Sequence, residues 1–411
     1  MALASRRRPV CAYVYDLAHL RRHARLTRTS LPPRTRLLYA VKANAEPAVL
    51  RTLASVVDGF EVASAGEMEK VRAVSATARV AFGGPGKTEA ELARALDLGV
   101  EVVHVESVNE LLRLEEAARR AFRPIDALLR VNVADGLPAA TLTMGGPTQF
   151  GIDEAQLPEA VDAARRCGAL TLRGFHLHLV SNQLDASAHA RLVGRYVDRA
   201  MSWAEEHGVA LSIMNAGGGF GVAYAQPVRL FDIRLFGAQL HEELARRPAS
   251  AGLTLVFESG RFLVASAGAY LAEVLDLKIN HGRHFAVVRG GTHHFRLPAS
   301  WGHSHPFRVV PTGDSGRCQA EISDCLVTVV GQLCTPKDVL ARNVPVRRLR
   351  IGDVLVFHHA GAYGWSISHH DFLSHPHPEV VLLDEDRVSG SAGTSASRLG
   401  LGGPARRAAG S

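Results

Sequence analysis

Four groups of residues in this 411-residue chain have the types and spacing for chemistry. The first is Lys42, which ends the apolar run Leu37-Leu-Tyr-Ala-Val-Lys42-Ala-Asn44. Burial at a strand end disfavours an ammonium and makes an amine nucleophilic enough for a Schiff base. Most strand-end lysines simply snorkel. Lysine is scarce here, however: of 47 basic residues only Lys42, Lys70, Lys87, Lys278 and Lys337 are lysines, and arginine would serve a purely electrostatic role. The second group is Phe175-His-Leu-His-Leu-Val-Ser181, where alternation puts His176 and His178 on one strand face, with His178 nearer the end. The third is the triplet Gly217, Gly218 and Gly219 before Phe220, whose bare amides could approach a phosphate. The fourth is Phe257-Glu258-Ser-Gly-Arg261, a carboxylate with an arginine three residues on. Taken singly, these read as a core histidine, a turn and an ion pair.

Together they supply an amine, an aromatic stacking partner, a phosphate loop with an arginine, and an acid able to keep a ring nitrogen protonated. Pyridoxal phosphate needs all four.

These residues fall at the ends of short apolar, β-branched runs. The runs cover 37–43, 59–64, 79–84, 100–107, 126–133, 172–179, 211–217 and 253–260, and helical patterns fill the intervals. Eight strands in alternation with helices describe an α/β fold, a closed parallel (β/α)8 barrel whose active site lies at the C-terminal strand ends. After residue 270 the strands follow one another without long helices, which reads as an antiparallel β-barrel or sandwich domain. The expected division is a cofactor-binding barrel over 30–270, a β domain from 1–29 with 271–386, and a disordered tail over 387–411, where the composition collapses to Ser, Gly, Ala and Arg.

The net charge of +7 would normally suggest nucleic acid as a partner. Residues 1–29 hold seven arginines against one acid and residues 387–411 four arginines without an acid, so residues 30–386 carry −3. The body of the chain is not basic, and no nucleic-acid partner is expected. No apolar run reaches membrane-spanning length and no signal peptide is indicated, so a cytoplasmic protein without a membrane partner is expected. Five cysteines without paired short spacing exclude a disulfide scaffold.

The sequence resembles the fold-type III, alanine-racemase-like pyridoxal-phosphate decarboxylases, which include diaminopimelate and ornithine decarboxylases. The marks, in order, are Tyr39-Ala-Val-Lys42-Ala-Asn44, Phe60-Glu61-Val-Ala-Ser64-Ala-Gly-Glu67, Phe150-Gly151-Ile152, His176-Leu-His178, Gly217-Gly-Gly-Phe220, Glu258-Ser-Gly-Arg261, Cys334 and Gly361-Ala-Tyr363. The resemblance implies that Lys42 carries the cofactor, His178 stacks on its ring and Glu258 faces its nitrogen. Glu61 joins the cofactor set, and Ser181, Gly217 to Gly219, Arg261 and Tyr363 would hold the phosphate. Cys334 would come from a second subunit and protonate the product, which implies a homodimer with shared active sites.

Three departures bear on the substrate. Val180 stands where a glycine is usual, Gln149 where a basic residue is common, and Thr335 follows Cys334 where the diaminopimelate and ornithine enzymes carry an acid for the distal amine. Other segments, among them Gly290-Gly-Thr-His293-His-Phe-Arg296-Leu-Pro, look like the branch serving carboxylate siderophore assembly, whose substrate is an amino acid joined to citrate, such as citryl-diaminopropionate. A neighbouring branch acts on carrier-bound amino acids. The expected substrate contacts are Arg130, His293, Arg296, His305 and Thr335. His293, His294, Arg296, His303 and His305 fall close together, and such donors suit a polycarboxylate.

Histidine pairs at His358-His359 and His369-His370 raise a metal site, but adjacent residues on a strand point opposite ways and none is expected. Ala81-Phe-Gly-Gly-Pro-Gly-Lys87-Thr88 satisfies a permissive phosphate-loop pattern, making an ATPase the competing enzyme class. Pro85 removes an amide from that cradle, and Thr88 with Glu91 forms a helix capping box. A non-catalytic cofactor-binding protein would need neither the β domain nor Cys334. In alanine racemases an arginine stands where this chain has Glu258, which favours decarboxylation over racemisation.

Overall fold

The computed structural model describes residues 8–133, 142–224, 230–312 and 320–384. The expected tail over 387–411 and Cys318 lie outside them. Strand β1 (Cys11–Asp16) runs into α1 (Leu17–Ser30), whose first turn is capped by the Asp16 carboxylate accepting from His19 N–H. The chain then alternates through β2 (Thr35–Ala40), α2 (Pro47–Ala54), β3 (Gly59–Val62), α3 (Ala65–Val74), β4 (Val80–Phe82), α4 (Glu89–Asp97), β5 (Val102–Val105), α5 (Val108–Ala121) and β6 (Ile125–Asn132). Two short strands, β7 (Leu142–Thr143) and β8 (Ile152–Asp153), precede α6 (Leu157–Arg165) and β9 (Leu170–His176). After β10 (Val180–Ser181) come α7 (Ala186–Glu206), β11 (Ile213–Asn215), α8 (Ile233–Ala245), β12 (Thr254–Ser259) and the four-residue α9 (Arg261–Val264).

The strands β5, β4, β3, β2, β12, β11, β9 and β6 pair in parallel in that order, and pairing of β5 with β6 closes the barrel. Side chains alternate across it with the period of two that an extended chain imposes. The outward set, with Tyr39, Phe60, Phe82, Val103, Leu129, Phe175 and Phe257, joins the main core beneath the helices. Each fully buried side chain of this size contributes about 1.5–3 kcal/mol. The inward set is different. Leu38, Ala81 and Val256 plug the lower barrel, while β3, β5, β6, β9, β11 and β12 contribute the buried polar residues Glu61, His104, Arg130, His176, Asn215 and Glu258. The runs are therefore not apolar on both faces.

Two expectations change. Among the described residues from 8 to 30, β1 and the segment just before it, where the Val10 carbonyl accepts from the Glu273 N–H, enter the β domain, whereas α1 packs on α2 and α8 of the barrel. The β domain is mixed rather than antiparallel. It comprises β13 (Gly268–Asn280), β14 (Arg283–Val288), α10 (Leu297–Trp301), β15 (Phe307–Val310), β16 (Glu321–Val330), β17 (Val339–Arg350), β18 (Val354–Phe357) and β19 (Glu379–Leu383). Its sheet contains parallel pairs β14–β16 and β1–β19 beside antiparallel ones.

The two parts are stitched together at the barrel mouth. The Tyr363 N–H donates to the Ala43 carbonyl at 2.9 Å and the Asn44 amide donates to the Gly361 carbonyl at 2.9 Å. The turn carrying Lys42 is thus fixed by the segment carrying Tyr363.

Candidate functional site

Lys42 lies beyond β2, on a single 3-10 turn over Val41–Ala43, and not on the strand itself. The buried Tyr39 hydroxyl donates to the Asn44 carbonyl at 2.8 Å and locks that turn. The Lys42 side chain points into the barrel mouth, 47% accessible, above a Glu61 carboxylate that is 5% accessible and 3.2 Å from Nζ. Burial works against the Lys42 charge, but Glu61, Tyr363 and Glu258 outweigh it and hold the ammonium above the usual lysine range. The sequence reading of a neutral amine fails for this reason: two carboxylates face it.

Glu258 rises from the end of β12, the strand beside β2 on the side away from β3. Its Oε1 accepts from the Asn215 amide at 2.7 Å. Burial first, then the neighbouring Glu61, push its carboxyl up to about 8 against the pull of Lys42, Asn215 and Arg130. His178 lies two residues past β9, and its Nδ1 accepts from the Gly218 N–H at 3.0 Å. Burial, Arg130 and Lys42 all disfavour its charge. The ring is therefore neutral, with its proton on Nε2.

The glycine run serves His178 more than the sequence suggests. Gly217 has φ of +62°, and a Cβ there would lie 2.3 Å from His178 Nδ1; one on Gly218 would lie 2.2 Å from the Glu258 carbonyl oxygen. The Gly217 and Gly218 amides are committed to Asn215 Oδ1 and His178. It is Gly219 that lines the cavity, with Ser181, Arg261 and Tyr363. Arg261 does not pair with Glu258. Its guanidinium donates to the Tyr224 hydroxyl at 3.2 Å and lies over the Trp301 and Tyr363 rings at 4.2 and 4.5 Å.

Residues 17–265 match the family described as pyridoxal-dependent decarboxylase, pyridoxal binding domain. The chain belongs to that family. It is 46% identical to the Staphylococcus aureus 2-[(L-alanin-3-ylcarbamoyl)methyl]-2-hydroxybutanedioate decarboxylase, over 94% of this chain and 97% of the relative. It is 33% identical to the L-glutamyl-[BtrI acyl-carrier protein] decarboxylase of Niallia circulans, covering 90% and 88% of the two chains. Diaminopimelate decarboxylase from Helicobacter pylori, solved with L-lysine, superposes with a TM-score of 0.81 at 25% identity, over 92% of each chain.

This decarboxylase depends on pyridoxal phosphate, and the mouth fits the cofactor. Lys42 is the accessible amine among buried neighbours, the buried Glu61 carboxylate faces it with Oε2 3.2 Å from Nζ, and the seat of His178 admits no Cβ. Sequence reasoning missed His104 and gave Asn215 no role. Asn215 stands two residues before the named Gly217, whereas no named residue flanks His104, which reaches the site through the closure of the barrel by β5 and β6. His104, His176 and Glu258 offer ligand-type atoms within 4.8 Å of one another. The Asn215 amide, however, faces both His104 Nε2 at 3.2 Å and Glu258 Oε1, so the group is wired by hydrogen bonds.

Lys87 is no nucleotide ligand in this decarboxylase. Its Nζ is buried and donates to the Gly84 and His104 carbonyls at 2.7 Å and to Glu110 at 2.5 Å, which uses all three protons. Arg130 is also committed: its guanidinium pairs with buried Glu106 at 2.7 Å and lies over the Phe150 ring at 4.7 Å.

A second cavity of about 620 Å³ opens in the β domain. It is lined by Arg296, His303, Thr335, Lys337, Arg342 and His369 among others, with no carboxylate among the described residues of its wall. Asp338 stands behind, occupied by Thr292 and the Leu333 N–H. Of the four β-domain residues expected at the substrate, Arg296 and Thr335 line this cavity, and His293 and His305 do not. His293 is fully buried against His294 and His375, and burial pushes its pKa down to about 4. His305 is buried too, its Nε2 within 2.6 Å of the His358 carbonyl, and its pKa falls to about 3. Cys334, between Leu333 and Thr335 of this wall, is exposed. The two cavities are linked through Tyr224, whose ring lies 5.8 Å from His303 and whose hydroxyl accepts from Arg261.

Proposed function

We propose that this decarboxylase removes the α-carboxylate of an L-amino acid whose side chain is joined to a citrate-type polycarboxylate, and that it works as a cytoplasmic homodimer with shared active sites. The observation that carries the substrate reading is the acid-free cavity with Arg296, Lys337 and Arg342 on its wall. Two arginines suit carboxylates because the guanidinium fork binds them bidentately. The relative from S. aureus is named for a substrate of this class, an alanine linked from C3 through an amide to a hydroxy-dicarboxylate.

Lys42 is the residue that would hold the cofactor and exchange it for the substrate amine. Glu258 would hold the proton at the ring nitrogen, His178 would cover one ring face, and Glu61 would keep the lysine oriented. Ser181, Gly219, Arg261 and Tyr363 would take the phosphate. Bound pyridoxal phosphate supplies the electron sink for the pair left when carbon dioxide departs. Cys334, turned outward on its own chain, would deliver a proton to the substrate carbon in the partner's site. That exposure supports the dimer, and the free Cys11, Cys167, Cys325 and Cys334 suit a reducing compartment. No described helix is long and apolar enough to cross a membrane.

Diaminopimelate and ornithine fit less well, because Thr335 and its cationic neighbours offer no anion to a distal ammonium. Calorimetry with citrate alone tests the reading. Citrate should bind the loaded enzyme, and Lys337→Gln with Arg342→Gln should abolish binding while the cofactor spectrum stays intact. Binding unaffected by the double substitution would remove the cavity from the account.

A further inference from the structure

Packing alone asks for a phenylalanine where α7 carries His189. The residue is 1% exposed, and its ring lies 5.3 Å from Phe220, 6.0 Å from Phe231 and 5.3 Å from Phe236. Burial pushes its pKa down to about 4, so the ring is neutral and has one proton. Nε2 lies 3.0 Å from the Gly218 carbonyl, which can only accept, so that proton is on Nε2. Nδ1 is buried without a hydrogen-bond partner. The ring therefore leaves one nitrogen unsatisfied among apolar neighbours, and its polar edge makes a single bond, to the glycine run.

The three carbonyls of that run are held in different ways. The Gly217 carbonyl accepts from the Glu258 N–H and the Gly219 carbonyl from the Gln183 N–H, each at 2.8 Å. The Gly218 carbonyl is met by a side chain, that of His189. A trans peptide is planar and its N–H points opposite to its carbonyl, so turning the Gly218 carbonyl to His189 turns the Gly219 N–H away from it. Glycine stands on both sides of this peptide unit, with φ of +96° at Gly219, so no Cβ opposes its rotation. A rotated unit would put a carbonyl dipole where the N–H stands.

We infer that His189 is a positioning residue for the cofactor's phosphate: its Nε2–H anchors the Gly218 carbonyl and so holds the Gly219 N–H toward the phosphate end of the cavity. This rests on the reading that Gly219, Ser181, Arg261 and Tyr363, which line that cavity, take the phosphate. Of the three amides in the run, those of Gly217 and Gly218 are committed to Asn215 Oδ1 and His178 Nδ1, and the third is the Gly219 N–H that His189 orients. Gly218 thus has both of its backbone groups held by histidines, the N–H by His178 and the carbonyl by His189.

The test titrates pyridoxal phosphate and phosphate-free pyridoxal, by absorbance, into the full-length protein stripped of cofactor. His189→Phe removes the donor and keeps an aromatic ring among the three phenylalanines, His189→Gln puts an amide nitrogen at the level of Nε2, and His189→Asn carries one only to the level of Nδ1. A neutral hydrogen bond near the upper end of its range corresponds to about tenfold. We expect the Phe and Asn variants to bind pyridoxal phosphate about tenfold more weakly than the native protein, to bind pyridoxal as well as it does, and to move the phosphorus-31 resonance of the bound cofactor. The Gln variant should restore the affinity and the resonance. A Phe variant that keeps native affinity and resonance overturns the inference. So does one that loses affinity for both ligands in equal proportion, because that is the mark of a merely structural role. Should the Phe variant fail to fold, equal preference for pyridoxal phosphate over pyridoxal in the Gln and Asn variants overturns it. Arg261→Gln separates the two layers: if that change leaves the preference in place, the reading of the phosphate seat fails, whereas a loss there with none at His189 defeats only the positioning role.

Discussion

Replacing Glu258 with glutamine in the cofactor-free enzyme should change the pH dependence of stability in a calculable way. In the folded chain burial, with Glu61 beside it, pushes the carboxyl up to about 8 from an ordinary value of 4.5. Below pH 4.5 the group is protonated in both states and its raised pKa contributes its full stabilisation. As pH rises, the unfolded chain releases the proton while the folded chain keeps it, so stability falls by about 1.4 kcal/mol per pH unit until the folded group ionises near pH 8. Between pH 5 and 8 the loss is about 4 kcal/mol. Lys42 keeps its proton throughout this window, because the surrounding carboxylates outweigh the opposing effect of burial. Burial holds histidines 104, 176 and 178 well below the usual histidine range, so they stay uncharged across this window. Urea unfolding of the native protein and Glu258→Gln, at fixed protein concentration and at pH 5, 6, 7 and 8, gives the difference directly. The variant should gain on the native protein at each step. A difference that stays flat with pH would show that Glu258 is ionised in the folded chain and would refute this electrostatic account of the mouth.

Other expectations concern single contacts. Gly217→Ala should weaken cofactor binding at least tenfold in absorbance titrations, because its Cβ would meet His178 at 2.3 Å and the backbone is left-handed there. Lys87→Met should cost about 3–5 kcal/mol in urea unfolding by stranding the buried Glu110 carboxylate, and neither protein should hydrolyse ATP. Mixing inactive Lys42→Ala with Cys334→Ala should restore about a quarter of native turnover, since random two-fold dimers pair the two intact halves in one site of each hybrid.

The barrel was legible because its strands and helices alternate along the chain, and because Lys42, His178, Glu258 and Arg261 each end or follow a strand. What depended on distant partners was not. The protonation of Lys42 is set by Glu61 and Glu258, 19 and 216 positions away, so local burial alone gave the wrong sign. The histidines of the β domain were chosen by proximity in sequence, yet His293 and His305 turn inward while His303 and His369 reach the cavity. Lys87 looked like a phosphate ligand until Glu110 and the His104 carbonyl closed around it. The parallel pairing of β1 with β19 joins the two extremes of the described chain, a register no local pattern announces.

The central claim joins an amine at Lys42 to a cationic cavity for the distal end of the substrate. Carbon dioxide release by the loaded enzyme should be measured across citryl-diaminopropionate, meso-diaminopimelate, ornithine and lysine at equal concentration. The account predicts rapid release from the citrate conjugate, little from the free diamino acids, and none from any of them with Lys42→Ala. Preference for meso-diaminopimelate or ornithine would contradict it.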